Sequence, residues 1–122
     1  MTCCPFCSSL LEPVLENSWA WAIYDRHPVS PGHLLIIPKA HKLDYFHLSQ
    51  VERLAIEELL IAAKAMLDHK FKPAGYNIGW NCGAAAGQMI FHCHCHVIPR
   101  YQGDTRHPRG GVRGVIPEKM AY

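Results

Sequence analysis

Residues 92–100 read "HCHCHVIPR": three histidines alternating with two cysteines, running into a short apolar stretch that closes on Pro99 and Arg100. If this stretch is extended, successive side chains leave opposite faces, so His92, His94 and His96 project together and Cys93, Cys95 and Val97 project the other way. One face is imidazole and the other apolar, the pattern of a strand with a core behind it and a cleft in front. Neighbouring histidines of such a row stand about 6 to 7 Å apart at the backbone, and the outer pair about 13 Å. Two adjacent rings can share a small ligand, whereas three around one metal require a bend. Imidazoles held this close repel when protonated, so with an ordinary pKa of about 6.5 at least one stays neutral at pH 7 and nucleophilic. Cys93 and Cys95, on the apolar face, read as packed thiols.

Immediately upstream, "CGAAAGQ" (82–88) is a glycine-rich turn, and Gly83, Gly87 and Gln88 lead directly into the histidines. Glycine backbone can turn its N–H groups toward an anion, so a phosphate cradle beside a neutral imidazole suggests chemistry at phosphorus. Taken alone, the turn reads equally as an ordinary hairpin loop.

Working outward, the spacing predicts a helix from Ser49 to about Phe71, with Val51, Leu54, Ala55, Leu59, Ala62, Ala63, Met66 and Leu67 on one stripe. Ser49 followed three residues later by Glu52 has the form of a capping box, and Pro73 and Gly75 stop the helix. Strands are expected over "SWAWAIYD" (18–25), "HLLIIPKAH" (33–41), "YNIGWN" (76–81) and "HCHCHVIP" (92–99), separated by turns rich in proline and glycine. Strands, one long helix and further strands make the class α+β.

The 122 residues amount to one domain, 1–122, whose residues 101–122 form a Gly/Pro/Arg-rich tail with only short possible strands. With 49% hydrophobic and 18% charged residues the composition is that of a globular protein, and no apolar run approaches a membrane span. A formal charge of +2 gives no footing for nucleic acid as the main partner. The N-terminus has neither the basic start nor the apolar core of a secretory signal, and three of the six cysteines fall in the first seven residues. Thiols or metal ligands in a reducing cytoplasm are expected, not a disulfide framework.

The chain resembles the histidine triad (HIT) family of nucleotide hydrolases and transferases. "AGQMIFHCHCHVIPR" (86–100) is similar to the family's Gly-Gln and H-x-H-x-H segment, and "SPGHLLIIPKAH" (30–41) to its other characteristic segment, over about Cys4 to Arg100. The resemblance implies an antiparallel sheet of about five strands with one long helix and a short N-terminal helix, usually in a homodimer that joins two sheets. It implies that His94 attacks the α-phosphorus of a purine nucleotide, carries a nucleotidyl-histidine intermediate and releases a nucleoside monophosphate, with no catalytic cofactor. By the same resemblance His92 and His96 join His94 as catalytic residues, His96 and the Gln88 backbone bind phosphate oxygens, Gly87 and Met89 line the substrate, Asn81 orients the phosphate, Asp25 accepts from ribose hydroxyls and residues near Ile23 contact the base. Arg100 closes the motif beside the substrate, and His33 is structural or near the site. Met89 departs from the Ser or Thr common after Gly-Gln, which puts hydroxyl help to the leaving group in doubt.

"CPFC" places Cys4 and Cys7 well for two thiolates on one zinc, two ligands short of a closed site. Resemblance to a branch of the family adds His41 and His92, which implies a structural Cys2His2 zinc; free thiols are the other reading, and Cys3 can shift the register. Two further functions compete with hydrolysis of a dinucleoside polyphosphate or phosphoramidate. One is a metalloenzyme using the histidine row as ligands; the other is nucleotide binding or scaffolding with little catalysis. Nucleotidyl transfer stays open beside them.

Overall fold

Leu15–Glu16 (β1), Ala20–Tyr24 (β2), Leu34–Pro38 (β3), Gly75–Trp80 (β4) and Cys95–Arg100 (β5) pair antiparallel into one five-stranded sheet, in the order β1-β2-β3-β5-β4. The computed structural model describes residues 4–121. One helix, Gln50–Phe71 (α1), lies across one face, where Ala22, Leu34, Ile36, Cys95 and Val97 meet Ile56, Leu59, Ala63 and Leu67. The N-terminal segment covers the other face, where Phe6 packs with Ile23, Leu35 and Ile37. Covered on both sides, β3 is buried at every residue, which is why its sequence is a continuous apolar run instead of an alternating one. The expected α+β class, long helix and antiparallel sheet are present, and the short N-terminal helix is one 3-10 turn, Pro5–Cys7. Among the described residues no helix is long and apolar enough to cross a membrane.

α1 starts where the sequence says it should. The Ser49 hydroxyl accepts from the Glu52 N–H at 3.2 Å, and the Glu52 carboxylate accepts from the Ser49 N–H at 2.8 Å. Ser49→Ala is expected to cost about 1 kcal/mol, read as a lower denaturant midpoint at unchanged slope.

Three expectations are corrected. The helix stripe is rotated: Val51 and Leu54 are 48% and 54% exposed, and Ile56 takes their place in the core. The capping box draws Glu52 inward, with Lys42 Nζ 3.6 Å from its carboxylate, and this turns Val51 and Leu54 outward. The histidine strand begins at Cys95, not His92, because the Cys93 N–H leaves the ladder to donate to the Lys42 carbonyl at 2.7 Å. The tail forms 3-10 turns at Gly111–Val115 and Pro117–Lys119 in place of short strands.

Candidate functional site

The break before Cys95 divides the histidine row. His94 and His96 stay together on the face away from α1, with ring centroids 5.2 Å apart. His92 turns into the interior, fully buried, so the expected common face of three imidazoles is a pair with the third ring behind it. His96 has Leu35 on β3 and Gly79 on β4 as its ladder partners, and Gly79 leaves open space beside the ring.

Hydrogen bonds to backbone decide which nitrogen of each ring carries a proton. A carbonyl only accepts, so the His94 Nδ1–H donates to the His92 carbonyl at 2.8 Å, and in the neutral ring Nε2 holds the lone pair. Likewise the His92 Nε2–H donates to the Pro38 carbonyl at 2.9 Å, leaving the His92 Nδ1 lone pair free. Burial, and then the neighbouring His94 and His33, push the His96 pKa down to about 4, against the pull of Asp25. Burial lowers His92 and His33 as well. Burial raises the Cys93 and Cys95 thiols to about 12, so they are neutral packing groups, as expected.

Behind the pair, four donor atoms converge. His92 Nδ1 lies 3.4 Å from both Cys4 Sγ and Cys7 Sγ and 3.2 Å from His41 Nδ1, and Cys7 Sγ lies 3.3 Å from His41 Nδ1. A zinc tetrahedron with bonds of about 2.3 Å to sulfur and about 2.0 to 2.1 Å to nitrogen has edges of about 3.3 to 3.8 Å, close to these contacts. Desolvation and the nearby Cys4 raise the Cys7 thiol, a repulsion that a divalent cation reverses. The residues therefore fit a tetrahedral thiolate and imidazole site, and the residue between the cysteines ties it to the cleft. Phe6 sets its ring edgewise on His94 at 5.0 Å and on His92 at 5.9 Å. The sequence reading missed Phe6, whose only signal was an aromatic between two candidate ligands. Cys3 lies outside the described residues.

The remaining expected residues divide by what the backbone does. Gln88 does not offer its backbone N–H to a ligand, because that group donates to the Gly83 carbonyl at 3.1 Å. Its side chain is a latch, accepting from the Gly83 N–H at 2.8 Å and donating to the Leu43 carbonyl at 2.7 Å. The Met89 N–H is committed to none of these bonds, while the Met89 side chain is 88% exposed. Gly87, at φ +93°, brings the turn close to the Asn81 amide. Arg100 is drawn away: its Nε and Nη2 fork onto Asp104 at 2.8 Å each, and Nη1 donates to Asn77 at 2.7 Å. Asp25, at the end of β2, caps its own turn with Oδ1 and turns Oδ2 toward His33 Nε2, 3.4 Å away. Next to it a cleft of about 610 Å³ is lined by Leu11, Ile23, Tyr24 and Arg26.

A family model described as the HIT domain matches residues 12–103. Among solved structures, a HIT family protein from Bacillus anthracis is 36% identical and superposes with a TM-score of 0.78, covering 83% of this chain and 75% of that one. A Zn-bound histidine triad family protein from Mycobacterium smegmatis is 29% identical with a TM-score of 0.76, covering 85% of this chain and 79% of that one. An AP-4-A phosphorylase of Mycobacterium tuberculosis is 29% identical over 110 residues, 88% of this chain and 56% of that protein. The chain spans between 56% and 66% of the length of the first curated relatives it matches.

Proposed function

We propose, from the premise that this chain belongs to the HIT domain family, that it is a hydrolase cleaving at the α-phosphorus of a dinucleoside polyphosphate such as diadenosine tetraphosphate, or of a nucleoside phosphoramidate. The observation that carries this reading is the clamp on His94: the His92 carbonyl holds Nδ1–H at 2.8 Å, so the lone pair of the neutral ring sits on Nε2. Attack forms a bond from Nε2 to phosphorus, and the bond to the leaving group breaks with its electron pair. Water then attacks the same phosphorus, the bond to nitrogen breaks, and a nucleoside monophosphate departs. The likeness to an AP-4-A phosphorylase supports a nucleotide substrate.

In this reading His96 and the Met89 N–H hold the phosphate oxygens, where charge grows in the transition state. Asn81 and Gly87 shape that turn, and Gln88 latches it. Asp25 accepts from the ribose, and the neighbouring cleft at Ile23 takes a purine. His92 acts through its carbonyl and as a ligand with Cys4, Cys7 and His41 of a structural zinc; the Zn-bound relative supports that assignment. Residues 1–122 form one histidine triad domain, and 101–122 are its tail. The active form is a homodimer across β4, an edge strand whose Ile78 is 44% exposed and lines one surface pocket with the exposed Leu54. Free thiols at Cys82, Cys93 and Cys95 suit a reducing, cytoplasmic setting.

Acid quenching with nucleotide labelled at the α-phosphate tests the reading. Acid-labile, alkali-stable label on the peptide holding His94 is the expected result. Tight nucleotide binding without label or turnover leaves a binding or scaffolding protein instead, a role that the hydroxyl-free Met89 favours.

A further inference from the structure

His33, immediately before β3, is almost fully buried, and no role in the reaction has been given to it. The Val29 N–H donates to its Nδ1 at 3.1 Å, so that nitrogen has no proton. The neutral ring therefore carries its hydrogen on Nε2, which stands 3.0 Å from His96 Nδ1 and 3.4 Å from Asp25 Oδ2. Two N–H groups cannot face each other at 3.0 Å, so His96 Nδ1 is an acceptor and the single proton of His96 sits on Nε2. A backbone amide five residues before β3 thus fixes, through two rings, which nitrogen of a cleft histidine is a donor.

Asp25, His33 and His96 also bring three ligand atoms within 4.8 Å of one another, the donor set of a divalent cation. The Val29 amide argues against that use. With the Nδ1 lone pair occupied, His33 Nε2 binds a metal only by losing the last proton of the ring.

We propose that His33 is a positioning residue that locks His96 as its Nε2–H form, so that the cleft takes leaving groups that depart as stable anions. This rests on the reading of the chain as a nucleotide hydrolase and narrows its substrates to phosphoric anhydrides. A neutral imidazole whose only proton is on Nε2 donates a hydrogen bond to a phosphate oxygen but does not surrender the proton, since that would leave an imidazolate. Met89 supplies no hydroxyl to relay one. When the bond from His94 Nε2 to phosphorus forms, the electron pair of the breaking bond remains on the bridging oxygen as a phosphate anion, with no proton needed. An amine leaves only if protonated, and the missing acid costs about 10² to 10⁴ in rate.

Two measurements judge this separately. In the ligand-free protein at neutral pH, nitrogen-15 shifts of His96 are expected to show protonated Nε2 and bare Nδ1; the opposite form, or a doubly protonated ring, overturns the lock. His33→Gln keeps a donor near the position of Nε2 and is expected to preserve that signature, whereas His33→Leu is expected to lose it. If His33→Leu does not fold, the wild-type and His33→Gln spectra still decide. Turnover of diadenosine tetraphosphate is expected to exceed that of adenosine 5'-phosphoramidate about 100-fold or more, and equal rates overturn the anhydride preference. Turnover of neither substrate, with the expected His96 signature, removes the hydrolase reading and leaves the lock standing.

Discussion

His94→Ala is expected to lower kcat on diadenosine tetraphosphate by about 10⁴-fold or more, with KM changing far less. The side chain reaches phosphorus only in the chemical step, so its loss removes an interaction made in the transition state and not in the bound ground state. The fold should survive. His94 lies outside the sheet ladder and is half-buried, and its loss removes edge contacts with Phe6 and His96, each worth about 0.5 to 1.5 kcal/mol, and one hydrogen bond to the His92 carbonyl. Circular dichroism matching the wild type, together with loss of acid-labile label, is the expected pair of results. A His94→Ala protein that keeps a tenth of its turnover would remove covalent catalysis by this ring. His96→Ala should be milder, because it deletes one donor to the phosphate and leaves the nucleophile in place.

How much of this was legible follows from how local each signal is. The capping box at Ser49 and Glu52 is a four-residue pattern, and it set the start of α1 in sequence and structure alike. Which apolar flank of α1 meets the sheet is not local. Val51 and Leu54 fit the periodicity as well as Ile56 does, and only the inward pull on Glu52 separates them. β1 has two residues, too few for any alternation to register. In the histidine row the alternation was real from Cys95 onward, but the departure of Cys93 to the Lys42 carbonyl is a long-range bond that no local pattern announces. Arg100 and Gln88 follow the same rule. Their identities matched a motif, while their partners, Asp104 and Asn77 for one and Gly83 and Leu43 for the other, were set by the fold. The tautomers of His92 and His96 depend on Pro38 and His33, groups distant in sequence, and those of His33 and His94 on how the chain turns at Val29 and His92, so all four appear only with the fold.

Removal of the proposed zinc is the other change with a large expected effect, because His92 belongs to both halves of the site. Its Nδ1 faces Cys4, Cys7 and His41, its Nε2–H is held by Pro38, and its carbonyl holds the proton of His94. Protein purified without chelator is expected to contain zinc, and Cys7→Ala to lack it. A ligand that binds only the folded chain at about a thousand times its Kd contributes about 4 kcal/mol, so Cys7→Ala should melt about 10 to 20 °C lower. The same change frees the turn that carries Phe6, whose ring walls the nucleophile at 5.0 Å. The kcat of Cys7→Ala at a temperature where it stays folded should therefore fall while KM holds, since a misaimed His94 costs rate more than it costs binding. A wild-type protein free of zinc, or a Cys7→Ala variant melting with the wild type, would leave the four donors as a hydrogen-bonded cluster. His94 would then take its aim from the His92 carbonyl alone.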